Sequence, residues 1–189
     1  MVVVGSYRKD LYERLTTSAV SVRVAAAATV PVVVVPDVEV AHRSGIVVGV
    51  DGGESSTGVL ERALHEGIRM GEPVTVVTAW SLPPMTRPDF DDTSELSLVI
   101  EQRAHGVIRE VLERVEAQSP GLLELAGGVT PSVVFDSPAG ALLGHSREAA
   151  LLVVGSHGRR GIGRFLLGSV SHDVLVHTTA PTLVLRVRR

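Results

Sequence analysis

The chain has 189 residues, a formal net charge of −3 and no cysteine. That charge argues against a nucleic-acid binder held by bulk electrostatics. The missing cysteines exclude disulfides and thiolate metal sites, as expected in the cytoplasm. Apolar residues make up 44% and aromatics only 3%, so valine, leucine and alanine must fill any core.

In chain order, the β-rich runs are Val2–Val4, Val30–Val35, Ile46–Val50, Val74–Ala79, Val129–Val134, Leu151–Val154 and Thr182–Leu185. Most are continuous rather than alternating, as in parallel strands buried on both faces. None is long enough to cross a bilayer. Val2–Val4 is followed by Arg8, Lys9 and Asp10, the reverse of a secretory signal.

Helical patterns separate the runs. "SSTGVLERALHEGIRMG" places Val59, Leu60, Ala63, Leu64 and Ile68 on one face, with Ser55 or Ser56 as N-cap. The longest helix is expected within Ser94–Gln118, with Arg109/Glu113 and Glu110/Arg114 as pairs on its polar side. "SPAGALLGHSREAA" starts a third helix, Ser137 capping it and Pro138 in its first position. "SVSHDVLVHTTA" is a fourth, closed by Pro181. From Ile46 onward the order is β-α-β-α-β-α-β-α-β, a doubly wound α/β domain. The Pro-rich stretch Ser81–Thr93 is either a flap over a ligand or a solvated connector.

Shifted by 150 positions, Val2–Pro36 lies on Leu152–Arg186 without a gap, and eleven of the 35 positions are identical. Self-similarity at a fixed offset is the signature of a repeat. The expected organisation is a β-α-β fragment over 1–36, a linker over 37–44 and a complete domain over 45–189.

The second copy carries the chemistry. In "GSHGRRGIGRFLLGSVS", Gly155 and Gly158 follow a buried strand, and Gly168-Ser169 opens a helix. Glycines let backbone approach a ligand closely. A helix N-terminus presents N–H groups and a positive dipole end, which suits phosphate. Arg159, Arg160 and Arg164 add positive charge. There is no P-loop and no G-x-G-x-x-G here.

The spacing Gly155-x2-Gly158-x9-Gly168-Ser169 resembles the nucleotide-binding signature of the universal stress proteins. The resemblance spans Ile46–Arg186: "IVVGVDGGESS" looks like the family's first strand and turn, "VTVVTAW" like its second strand and "APTLVLR" like its last. It implies a Rossmann-like parallel sheet of strand order 3-2-1-4-5 that binds ATP, AMP or ADP, with Mg2+ carried through the phosphates. Carried over residue by residue, Asp51 sits by the adenosine and Ala79 gives backbone contacts to the adenine. Val154, Gly155, His157 and Gly158 line the sugar and phosphates, and Gly168, Ser169, Val170 and Ser171 clamp the phosphates. From the residues alone, Asp51 is either such an acceptor or the start of an Asx turn. His157 either meets phosphate or caps its turn. Ser169 is either a phosphorylation site or a cap with a phosphate contact.

The first copy departs from the signature: Gly158 is replaced by Arg8, Gly168 by Ser18 and Ser169 by Ala19. It is expected to bind no nucleotide. The family resemblance implies pairing of last strands about a two-fold axis, so Pro31–Val35 should pair antiparallel with Thr182–Leu185, either within the chain or, by exchange, with the last strand of a second chain. Val2–Val4 would then be a bare edge, which predicts a homodimer or higher oligomer. The function implied is a nucleotide-responsive stress regulator with slow or no hydrolysis and an unidentified regulatory protein partner. Two alternatives stand beside it. One is an ATP-hydrolysing or nucleotidyl-type enzyme, since "DGGESS" resembles the loop of ATP pyrophosphatases. The other is a dimerisation protein without ligand.

Overall fold

The computed structural model describes residues 1–6, 18–82, 95–156 and 167–186. Its elements are β1 (Val2–Ser6), α1 (Ser18–Ala27), β2 (Val32–Pro36), β3 (Ile46–Gly49), α2 (Glu54–Met70), β4 (Val74–Trp80), α3 (Glu95–Gln118), α4 (Leu122–Leu125), β5 (Val129–Phe135), α5 (Pro138–His145), β6 (Leu151–Gly155), α6 (Ser169–His177) and β7 (Thr182–Leu185). The strands form one seven-stranded sheet in the order β1-β2-β7-β6-β3-β4-β5. The five strands from Ile46 onward take the expected order 3-2-1-4-5, and β1-α1-β2 extends the sheet beyond β7. All neighbours are parallel except β2 and β7.

Helices cover both faces, which explains the uninterrupted valine and leucine runs of the central strands. Beneath α2, α3 and α4 lies a core around Ile46, Leu60, Leu64 and Val111. Beneath α1, α5 and α6 lies a second, around Val34, Leu142, Leu152 and Val174.

The two β-α-β units match in register. Val2 pairs with Val32 and Gly5 with Val35, while Leu152 pairs with Thr182 and Gly155 with Leu185, each pair displaced by the same 150 positions. The seam between the units is self-complementary: Val32 faces Val184, Val33 faces Leu183 and Val34 faces Thr182. Position 32 thus meets the counterpart of 34, and 34 the counterpart of 32, about a local two-fold through Val33 and Leu183. The segment 37–44 is tied at its far end, because Arg43 Nη1 donates to Arg147 O at 2.8 Å and Ser44 N to Glu148 O at 3.1 Å.

Three local expectations change. First, α2 begins at Glu54 with Gly53 as N-cap, not at Ser55 or Ser56. The Ser56 hydroxyl is committed to Asp51 at 2.8 Å, and Glu54 places a carboxylate at the positive end of the helix. Second, the ion pairs found among the described residues are Arg62–Glu66 and Arg69–Glu66, not the α3 pairs Arg109/Glu113 and Glu110/Arg114. Arg114 turns instead across to the β3–α2 loop. Third, α4 is a single added turn whose Leu122 joins the core.

Glu66 is nearly buried and takes Arg62 Nη2 at 2.6 Å and Arg69 Nη2 at 2.7 Å. Burial pushes its carboxyl up, but the two guanidinium groups together outweigh that and hold it below the ordinary 4.5. A carboxylate depressed on folding stabilises the protein fully above its unfolded pKa, and that contribution is lost as pH falls through the lower folded value. Glu66→Gln is therefore expected to cost on the order of 1 kcal/mol at neutral pH, given that both arginines reach solvent. The cost should vanish in acid, as urea unfolding at a series of pH values will read.

Candidate functional site

The parallel strands β3, β4 and β6 all end at one edge of the sheet. Connections run one way from β3 to β4 and the other way from β6 to β7, so the carboxyl ends of β3 and β6 flank a topological switch point. Open α/β sheets bind ligands in the crevice formed there.

Asp51 leaves β3 at this edge. Its Oδ1 accepts from Gly53 N at 2.9 Å and from Ser56 Oγ at 2.8 Å, and its own N–H donates to Ser56 Oγ at 3.1 Å. The Asx-turn reading thus describes Oδ1. Gly52 takes a positive φ of 79°, a conformation that favours glycine, and its carbonyl accepts from Arg114 Nη2 at 3.2 Å. Beneath the loop, the buried Thr78 hydroxyl donates to Val50 O at 2.6 Å. Two residues beyond the Gly49–Val77 pair stand Asp51 and Ala79, Ala79 half-buried on the α5 side.

Across the switch point, Val154 and Gly155 end β6. Ser156 N donates to Leu185 O at 2.7 Å, which prolongs the ladder to β7. Gly168 N donates to Ser156 O at 2.7 Å, so the chain departs and returns at one point. The buried Ser171 hydroxyl reaches both Gly168 O at 3.1 Å and Ser156 O at 3.3 Å. Through these two bonds Ser171 clasps β6 to α6. Gly168 is the N-cap of α6 and makes no side-chain cap bond, whereas Ser137 Oγ caps α5 through Gly140 N at 3.1 Å. Ser169, exposed, and Val170 form the first turn of α6.

Eight of the ten expected site residues therefore gather along this carboxyl edge: Asp51, Ala79, Val154, Gly155, Gly168, Ser169, Val170 and Ser171. His157 and Gly158 lie outside the described residues, as do the flap or connector residues from 83 to 94. Sequence reasoning missed Ser56, Thr78, Ser156 and Arg114, which hold the loops in place. Only Ser56 carried a local signal, as the second serine of "DGGESS". A groove of about 550 Å3 lies at the opposite edge, lined by Gly67, Gly71, Leu125 and Gly128, away from all of these residues.

Residues 43–186 match the family model described as the universal stress protein family. The chain belongs to the universal stress protein family. A universal stress protein of Mycobacterium bovis is 32% identical over 194 residues, covering 98% of this chain and 61% of the relative. This chain thus spans about three fifths of the length of that curated relative. Among solved structures, a functionally unknown protein from Pseudomonas aeruginosa superposes with a TM-score of 0.67 at 17% identity, covering 98% of this chain and 62% of that one. A universal stress protein solved in complex with cAMP gives a TM-score of 0.54 at 25% identity, over 78% of this chain and 100% of that one. Among the described residues of this universal stress protein, no helix is long and apolar enough to cross a membrane.

Proposed function

We propose that this universal stress protein domain holds an adenine nucleotide at the carboxyl edge and acts in the cytoplasm as a nucleotide-responsive regulator, with slow or no hydrolysis. One observation carries the reading: the described residues that match the family's signature, Gly155, Gly168 and Ser169, lie at the switch point, where α6 begins at a glycine without a side-chain cap. The donor set fits the group. Backbone N–H groups at the start of α6 suit phosphate, and Asp51 stands across the cleft as an acceptor for ribose or adenine donors. Gly155 and Gly168 let main chain come close to the ligand. Mg2+ would be brought in on phosphate oxygens. A relative bound to cAMP supports an adenine nucleotide as the ligand class. ATP, ADP and AMP are the forms proposed here.

The β1-α1-β2 unit is proposed as a degenerate half copy of β6-α6-β7. The common 150-residue displacement of both registers supports this. Ser18 and Ala19 stand where Gly168 and Ser169 stand in the second copy, so only the second copy is assigned a ligand.

The test is direct. Purified protein is denatured and the released small molecules are separated by chromatography. Nucleotide-free protein is then titrated with ATP, ADP, AMP and cAMP. Retained or rebound adenine nucleotide is expected. Failure of all four to bind would overturn the assignment.

A further inference from the structure

One peptide plane links Asp51 to α3. Its N–H end is Gly53 N, which donates to Asp51 Oδ1 at 2.9 Å. Its carbonyl end is Gly52 O, which accepts from Arg114 Nη2 at 3.2 Å. In a trans peptide these two ends point in opposite directions, so the two bonds together fix the rotation of the plane. The residues on both sides of it are glycines, which leave a peptide easy to turn over. Gly52 holds a φ of 79° and Gly53 is the extended N-cap of α2. Turning the plane over would break the Arg114 bond and the Asp51 bond at once.

Arg114 extends from a fixed base. Val111 and Val115, on either side of it on α3, are 0% exposed in the core beneath α2 and α3. A second tie pins α3 to α2, where Ser119 Oγ donates to Glu61 Oε1 at 2.8 Å. Arg114 Nε is buried and has no hydrogen-bond partner among the described residues. A guanidinium reaching for solvent would not leave that donor enclosed. This one crosses instead to the β3–α2 loop, where its charge strengthens the bond to the Gly52 carbonyl. Polarising that carbonyl makes the N–H at the far end of the plane a better donor to Asp51.

We propose that Arg114 is a positioning residue for the nucleotide site, a role that rests on the nucleotide reading above. It acts on Asp51 through the Gly52–Gly53 peptide plane and touches no ligand itself. Asp51 is the group assigned to ribose or adenine donors, so the effect falls on the nucleoside and not on the phosphates. Adenosine carries no charge. It therefore separates this relay from the attraction between a cation and phosphate.

Arg114→Met keeps an apolar stem and removes every donor, whereas Arg114→Lys keeps a cation and a donor. Calorimetric titration should show Arg114→Met weakened about five- to tenfold for adenosine and by a similar factor for ATP, with Arg114→Lys recovering part of the loss. In an Asp51→Ala background nothing remains to be positioned, and Arg114→Met should then cost less than about twofold. Hydrogen exchange in nucleotide-free protein should quicken severalfold at the Gly53 amide in Arg114→Met and stay unchanged at Leu64, deep in α2. Wild-type protein that binds none of the ligands removes the nucleotide reading and this role with it. Wild-type protein that binds adenosine, with Arg114→Met binding it equally well or exchanging Gly53 no faster, overturns the relay alone. A loss just as large in the Asp51→Ala background does the same, because the effect would then not pass through Asp51.

Discussion

Ser169→Glu is expected to weaken the proposed ATP binding by about ten- to a hundredfold while leaving the fold as stable or slightly more so. The two effects have opposite signs because they have different partners. A carboxylate in the first turn of α6 meets the positive end of the helix and gains about 0.3–1 kcal/mol. The same carboxylate repels a phosphate seated on that turn. The loss should therefore fall in the order ATP, ADP, AMP, with adenosine unaffected. Asp51→Asn makes the converse case. It retains a side-chain oxygen for Gly53 N, so the turn at Gly52 survives, but it removes the charge that would hold ribose or adenine donors. A loss of about tenfold is expected for every nucleotide, adenosine included. Calorimetric titrations with the four ligands, alongside thermal unfolding of each variant, separate the two patterns. Affinity for ATP undiminished from wild type in both variants would remove the carboxyl edge as the site.

Removing residues 1–36 should cost several kcal/mol and change the oligomeric state. Val32 and Val34 are at most 1% exposed, and burying each contributes about 1.5–3 kcal/mol. The truncation also strips β7 of its antiparallel partner, opening the backbone groups that Thr182 and Val184 present to β2. An apolar edge of this kind pairs with whatever strand is available, so association through β7 is expected after truncation. Urea unfolding and sedimentation measure both consequences. A single change, Val34→Asp, reproduces the stability loss by placing a carboxylate at a 0% exposed position among apolar neighbours. Unaltered stability and unaltered association after truncation would show that the fragment does not brace the domain.

The strands were legible because burial on both faces leaves little room for anything but valine, leucine and isoleucine. The antiparallel pairing of β2 with β7 was foreseen from the repeat and the family resemblance together. The start of α2 was misplaced because a serine near a helix start serves equally well as cap or as partner to a preceding aspartate. Ser56 took the second role. The α3 ion pairs failed for a related reason: spacing along a helix says which side chains can meet, not which competitor is nearer. For Arg114 the competitor was the Gly52 carbonyl, 62 residues away in sequence. At the site, the glycines and the first turn of α6 were readable as a motif. The Thr78, Ser156 and Ser171 bonds were not, since each depends on a neighbouring strand or turn brought alongside by the fold.

The β2–β7 seam changes how this universal stress protein responds to dilution. Two strands that pair about a two-fold from separate molecules come apart as protein becomes scarce. Here they share one covalent chain, so the local concentration of one for the other is fixed and independent of the total. The seam forms as a unimolecular step of folding. The cell cannot loosen it by lowering expression, and any control over it has to act through binding or strain.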